Sequence, residues 1–69
     1  MSPMLTQKEL WALEDHLSRE RFLVSKFSNY AQQLSDPELK GLCSQVAQKH
    51  RQHYDALLQH LNMQQMAGY

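Results

Sequence analysis

Two histidines and one glutamate are the residues of this chain best suited to chemistry. His50 and His53 are three positions apart, so on a helix both imidazoles project from one face and can share a ligand. Glu20 is the only polar member of an apolar series with three- and four-residue spacing. A carboxylate or an imidazole inside such a series needs a partner or a metal ion, because burying it alone is costly.

Metal binding is one hypothesis for these three residues. Imidazole is the commonest metal ligand near neutral pH, and two imidazoles with one carboxylate suit Zn, Fe or Mn. The alternative is a hydrogen-bonded Glu–His cluster that is satisfied internally and fixes the register of the helices. Lys49 and Arg51 flank the pair and could also neutralise Glu20. The residues by themselves leave both hypotheses open.

The rest of the chain offers no catalytic constellation. It contains no glycine-rich phosphate loop, and no serine has a readable link to a histidine and an acid. Glu14 and Asp15 are typical of an ordinary charged face of a helix. His16 and His60 are expected at solvent-facing positions. We therefore predict no catalytic and no cofactor-binding residue, which favours a protein that is not an enzyme.

A capping signal in the sequence marks the N-terminus of the first helix. Thr6 followed by Glu9 forms a capping box, and no Gly or Pro interrupts the chain up to Gln33. We predict a helix over about residues 6–33. Its apolar face has one acidic member, Glu20, and otherwise consists of Leu10, Leu13, Leu17, Val24, Phe27, Ala31 and Leu34.

A second helix follows after a short break. Ser35 or Asp36 can cap it, and Pro37 fits its first turn, where the missing N–H costs nothing. We predict this helix over about residues 36–62, with a flexible tail at 63–69. Its apolar face carries the two histidines at its centre, among Leu39, Leu42, Val46, Leu57 and Leu61.

A break of so few residues makes the two helices antiparallel neighbours, that is, an all-α helical hairpin. The 69 residues then form a single domain. Positions whose numbers sum to about 70 lie at the same level, which places Glu20 opposite His50 and Leu17 opposite His53.

The apolar surface is wider than a contact between two helices requires. Leu23, Tyr30, Phe22 and Trp11 widen the face of the first helix, and the second adds Ala47, Tyr54 and Leu58. A second hairpin could cover this surface, so we predict a homodimer that forms a four-helix bundle. Alternatively, Trp11 and Phe22 are isolated exposed aromatic residues, which are common on protein surfaces.

Composition argues against several classes of partner. Seven basic and seven acidic side chains cancel, so no charge pattern indicates nucleic acid or an anionic membrane. Cys43 is the only cysteine, which favours a reducing compartment and a role as a small buried hydrophobic residue. Residues 1–4 lack the features of a signal peptide, and no apolar run could span a bilayer. We expect a protein made in the cytoplasm and not exported through a signal peptide.

The pattern also resembles a known family, the small spore coat proteins related to coat protein F. The resemblance extends from about residue 5 to residue 61. Its motifs are Lys8-Glu9-Leu10-x-x-Leu13-Glu14-Asp15-x-Leu17-x-x-Glu20, Tyr30-Ala31, Asp36-Pro37-x-Leu39-Lys40 and Ala47-x-Lys49-His50-x-x-His53-Tyr54-x-x-Leu57-Leu58.

This resemblance implies a ferritin-like fold. It also implies a structural role during sporulation, as a component of the spore coat that contacts other coat proteins. In the wider ferritin-like group, a glutamate of the first helix and a Glu-x-x-His motif of the second bind two irons. Glu20 matches that first carboxylate and His53 that histidine. His50 departs from the pattern, because it stands where the group has a bridging carboxylate. Longer relatives carry two hairpins, so the resemblance favours dimerisation of this single one.

Overall fold

The chain folds into a hairpin of two long helices. A computed structural model describes the backbone of residues 5–67 and the side chains of residues 5–62. In this part of the chain, α1 spans Gln7–Gln33 and α2 spans Pro37–Ala67, with no strand. Three residues, 34–36, connect the helices, which pack against each other. This confirms the predicted all-α helical hairpin.

The ends of α1 follow from local hydrogen bonds. The Glu9 amide donates to the Thr6 hydroxyl at 3.0 Å, and the Thr6 amide donates to the Glu9 carboxylate at 2.9 Å. These two bonds satisfy amide groups that the first helical turn leaves without a partner, so they form the predicted capping box. At the other end, the Leu34 amide donates to the Tyr30 carbonyl at 3.0 Å, and the chain then becomes extended.

Asp36 begins α2. Its carboxylate accepts a hydrogen bond from the Leu39 amide at 3.0 Å, so of the two capping candidates, Ser35 and Asp36, the aspartate fills the role. Pro37 is the first helical residue, as predicted. The helix continues through Gly41, whose missing Cβ would have open space around it.

The C-terminal end of α2 differs from the prediction. We expected the helix to end at about residue 62, but it continues to Ala67. Residues 63–67 have no apolar periodicity, which led to the prediction of a tail. They are, however, good helix formers and contain no Gly or Pro, so nothing local stops the helix before Gly68. Residues 68 and 69 of the predicted tail, and lead-in residues 1–4, lie outside the described residues.

The inward face of α2 also differs from the predicted one. Leu39 and Leu42 were expected to face α1, but about half of each residue is exposed to solvent. The sequence offers two overlapping apolar stripes, and a single partner helix covers only one of them, which accounts for the exposure of Leu42. Rotation does not account for Leu39, which lies five full turns from the partly buried Leu57 and therefore on the same side of α2. The more buried stripe consists of Cys43, Val46, Ala47, His50, Tyr54, Leu57, Leu58 and Leu61. Cys43 is therefore half-buried rather than part of a closed core.

The core of this hairpin is thin. Among the described side chains, Ala47 is the only fully buried apolar residue, and Glu20 is the only fully buried polar one. The molecule measures 52 × 17 × 12 Å, so it is a narrow rod with little interior. Neither helix contains, within the described residues, a stretch long and apolar enough to cross a membrane.

Candidate metal centre

The three predicted site residues meet in the middle of the hairpin. Glu20 lies on α1 and is only 4% exposed. One carboxylate oxygen of Glu20 lies 2.8 Å from Nδ1 of His50, and the other lies 3.2 Å from Nδ1 of His53. One ligand atom from each residue lies within 4.8 Å of the other two. The predicted level of Glu20 with His50 is therefore correct, and His53 joins them.

The direction of helical side chains explains why Glu20 reaches both histidines. Each Cα–Cβ bond of a helix tilts toward the N-terminus of that helix. In an antiparallel hairpin, side chains of α1 tilt toward the open end and those of α2 tilt toward the connection. Glu20 and His53, which start one turn apart in level, therefore converge. Sequence levels alone place His53 opposite Leu17, and the tilt of the side chains brings it into the predicted cluster of Glu20, His50 and His53.

The hydrogen bonds define which atoms carry protons. Burial alone would raise the pKa of Glu20, but the hydrogen bond from His50, the charges of both histidines and the bond from His53 hold this pKa below its ordinary value. A carboxylate only accepts hydrogen bonds, so each Nδ1 that bonds to it must donate. With Nδ1 protonated, a neutral imidazole has its lone pair on Nε2.

The two histidines differ in their access to solvent. The side chain of His50 is 23% exposed, whereas that of His53 is 59% exposed. Aromatic contacts continue the cluster along the hairpin: His53 packs edge-on against His50, with ring centroids 5.7 Å apart. The His50 ring stacks on Phe27 at 6.3 Å, and Phe27 packs edge-on against Tyr30 at 5.8 Å. Both ends of this aromatic row, His53 and Tyr30, are therefore open to water, whereas Phe27 and His50 between them are partly buried.

Sequence reasoning did not assign Phe27 a role at the site. It identified Phe27 only as a member of the apolar face of α1. Two features could have indicated a contact between Phe27 and His50. Phe27 and Tyr30 are three residues apart on one helix, and side chains of α1 tilt toward the level of His50. A sequence alone does not give the rotation of each helix, so this contact required the structure.

Lys49 and Arg51 flank the histidines in sequence but do not pair with Glu20. In the described part of the chain, the ion pairs of Glu20 are with the two histidines, and none forms with Lys49 or Arg51. The earlier alternative of a lysine or arginine partner for Glu20 is therefore wrong. The remaining polar candidates are exposed, as predicted for a solvated surface: Glu14, Asp15, His16 and His60.

This arrangement can satisfy itself or hold a metal ion. Among the described residues, no buried side-chain polar atom lacks a hydrogen-bond partner, so the cluster is complete without a further ligand. Its donor set of two imidazoles and one carboxylate also fits Zn, Fe or Mn, in two geometries. A metal ion could replace the Nδ1 protons beside Glu20, or it could bind Nε2 while Glu20 holds the ring from behind.

Comparisons with known protein families, with curated proteins and with solved structures gave no match to this chain.

Proposed function

We propose that this chain is a structural component of the bacterial spore coat that acts by helical association. Two hairpins pair into a homodimeric, ferritin-like four-helix bundle, and this unit contacts other coat proteins. The coat assignment is supported by the resemblance of residues 5–61 to the coat protein F group. The association is supported by the surface of the hairpin, as follows.

The exposed apolar surface carries this proposal. Among the side chains that the structure describes, five large apolar or aromatic residues are at least 40% exposed: Trp11, Phe22, Tyr30, Leu39 and Leu42. A single hairpin leaves these side chains in contact with water, and a second copy could cover those that share one side of it.

Part of this apolar surface lies on one side of the hairpin, whereas Trp11 and Phe22 lie on the side of α1 opposite to Glu20. Leu42 and His53 are eleven residues apart, which is about three helical turns, so they share one side of α2. Leu39 lies one turn from Leu42 on that side, and Tyr30 ends the aromatic row that begins at His53. We call the surface formed by Tyr30, Leu39, Leu42 and His53 the Leu42 face.

Sedimentation equilibrium of the full chain tests the association. We expect a mass of twice 8.1 kDa at micromolar concentration. A monomer with full helical content at these concentrations would contradict the proposal. Immunogold labelling of sporulating cells tests the coat assignment separately: label in the coat layers is expected, and label confined to the cytoplasm would contradict it.

A small ferritin-like metal-binding protein or oxidoreductase is the second candidate function. The observation that favours it is the convergence of Glu20, His50 and His53. The carboxylate of Glu20 already orients both imidazoles through hydrogen bonds. Metal analysis of protein purified without an affinity tag tests it. Stoichiometric Fe, Zn or Mn that is lost in His53→Ala and kept in His60→Ala would support it, whereas metal-free wild-type protein that takes up none of these ions would contradict it.

A further inference from the structure

We propose that a groove on the other side of the hairpin from the Leu42 face binds an oxoanion, a phosphate or carboxylate group, between the guanidinium groups of Arg21 and Arg51. We call it the Arg51 groove. Among the side chains that line it are Arg21, Ser25, Ser28, Ser44, Arg51 and Asp55. This inference goes beyond the proposed association and does not depend on it, because the groove lies away from the Leu42 face.

The contact between Glu20 and His50 places the two arginines at the same level. Arg21 directly follows Glu20 on α1, and Arg51 directly follows His50 on α2. The next residue of a helix lies about 100° further around its axis, and in an antiparallel pair these two rotations lead to the same side. Both arginines accordingly line one part of the groove, which has a volume of about 630 Å³. The buried contact that fixes the level of the helices therefore also brings two positive charges to one groove.

Neither arginine is used to hold the hairpin together. Among the described residues, the ion pairs are those of Glu20 with the two histidines, and no side-chain hydrogen bond involves Arg21 or Arg51. Asp55 lines the same groove, yet within this part of the chain it forms no ion pair with either arginine. A guanidinium group has five N–H donors in a planar fork that matches two oxygens of a phosphate or carboxylate group. These donors are available to a ligand.

Neutral donors lie beside the two charges. Ser25, Ser28 and Tyr54 add hydroxyl groups to the lining, and Ser28 and Tyr54 are partly buried. Hydroxyl and guanidinium groups both donate hydrogen bonds to an oxoanion, and a bidentate contact with an arginine also fixes its orientation. Two arginines and one aspartate give this lining a net charge of +1. An oxoanion is therefore attracted to the groove, and a cation is repelled.

NMR titration of the full chain with inorganic phosphate, and separately with acetate, tests the site. The Nε–H resonances of the arginine side chains report contact with each anion. At constant ionic strength, we expect saturable shifts at Arg21 and Arg51 and none at Arg19, which is exposed on a different side of α1. The anion that binds more tightly identifies the ligand as a phosphate or a carboxylate group. Shifts that do not saturate, or that are equal at Arg19, would overturn the proposal.

Substitutions test the contribution of each charge. Arg21→Gln and Arg51→Gln should each weaken binding about tenfold or more, because each removes a charged hydrogen-bond donor. Arg19→Gln removes the same charge from outside the groove and should change the affinity less than about twofold. Asp55→Asn should tighten binding about two- to fivefold, because a negative charge near the anion is lost. Equal weakening in Arg19→Gln, or weaker binding in Asp55→Asn, would overturn the assignment.

Two further measurements separate this site from the fold and from the proposed association. All four substituted residues are exposed, so circular dichroism should show unchanged helix content in each variant. Sedimentation of the same samples reports the dimer. A chain that dimerises but binds neither anion would overturn the oxoanion site and leave the association intact. A monomer that binds an anion at Arg21 and Arg51 would support the site and contradict the association.

Discussion

The two long sides of the hairpin differ in their side chains. The Leu42 face exposes large apolar side chains beside the open edge of His53, and Lys26 lies over the ring of Tyr30 there. The other side is the Arg51 groove, which is lined mostly by polar and charged side chains, among them Arg21, Ser25, Ser28, Ser44, Arg51 and Asp55, and also by Val24 and Tyr54. Both sides are built from the same two helices, with the same length and the same register.

The difference determines which side we assign to the proposed dimer contact. Serine, arginine and aspartate side chains are well solvated, so the Arg51 groove has little to gain from being covered. Leucine and tyrosine on the Leu42 face lose contact with water if a second hairpin packs there, which stabilises the pair. Matched substitutions on the two sides can therefore test whether the two sides differ in this way.

The largest effect is expected for a charge placed on the Leu42 face. In the proposed two-fold dimer, Leu42→Glu would put a carboxylate from each copy into the contact. We expect dimerisation to weaken at least a hundredfold, about 3 kcal/mol, because an apolar anchor is lost and a charge is buried. Sedimentation velocity measures this change.

Ser44→Glu is the matched control on the Arg51 groove. It lies two residues along the same helix and adds the same charge, and we expect the dimer to remain. Equal loss of dimer in both variants would show that the two sides do not differ as proposed.

The next largest effect concerns the buried carboxylate. Glu20→Ala leaves two Nδ1 donors without their acceptor. We expect a loss of about 1.5–3 kcal/mol in the free energy of unfolding, typical of hydrogen bonds to a charged group. Urea denaturation followed by circular dichroism at a fixed chain concentration measures it. Asp55→Ala removes an exposed carboxylate of the groove and should change stability by less than about 0.5 kcal/mol.

A smaller effect is expected from acidification of metal-free protein. The pKa of Glu20 is lower in the folded chain than the 4.5 of an unperturbed glutamate. Its stabilising contribution is therefore fully present above pH 4.5 and is lost as the pH falls through the folded-state pKa. The urea concentration at the midpoint of unfolding should fall less in Glu20→Gln than in wild type when the pH is lowered from 6 to 3. Parallel curves for the two proteins would contradict this role for Glu20.

The smallest effect is expected for a substitution that lies outside both surfaces. Gly41 is inside α2, and an added Cβ would meet nothing within 4 Å. We expect Gly41→Ala to stabilise the fold by about 0.5–1 kcal/mol, because glycine loses more backbone freedom in a helix than alanine does. Thermal unfolding measures this gain. Gln45→Ala, also exposed on α2, should change stability less, and an equal change would argue against a backbone effect.

Local signals in the sequence predicted most of the fold. The capping box at Thr6, the cap at Asp36 and the proline after it gave both helix starts, since these depend on neighbouring residues alone. Glu20 and His50 were correctly paired, because a short connection fixes which levels meet. These predictions needed no knowledge of side-chain packing.

The rotation of α2 could not be predicted. The helix carries more apolar surface than α1 can cover, and the sequence does not say which stripe turns inward. Leu42 is therefore half exposed, although its spacing suggested an inward position, and Ala47 is buried in its place. The cluster of Glu20 with both histidines was predicted, but residue levels placed His53 opposite Leu17, because levels ignore the side-chain tilt that brings His53 to Glu20. The end of α2 was misplaced because helix propensity continued after the apolar pattern stopped.

Pulsed electron resonance between spin labels tests most directly whether two copies meet through the Leu42 face. In a Cys43→Ser background, a nitroxide is attached to Lys49→Cys or to Gln48→Cys. Lys49 lies toward the side of α2 that carries Leu42 and His53, and Gln48 lines the Arg51 groove. We expect an intermolecular distance for both, and the shorter one for the label at position 49. A shorter distance from position 48, or no intermolecular coupling from either label, would contradict the proposed dimer.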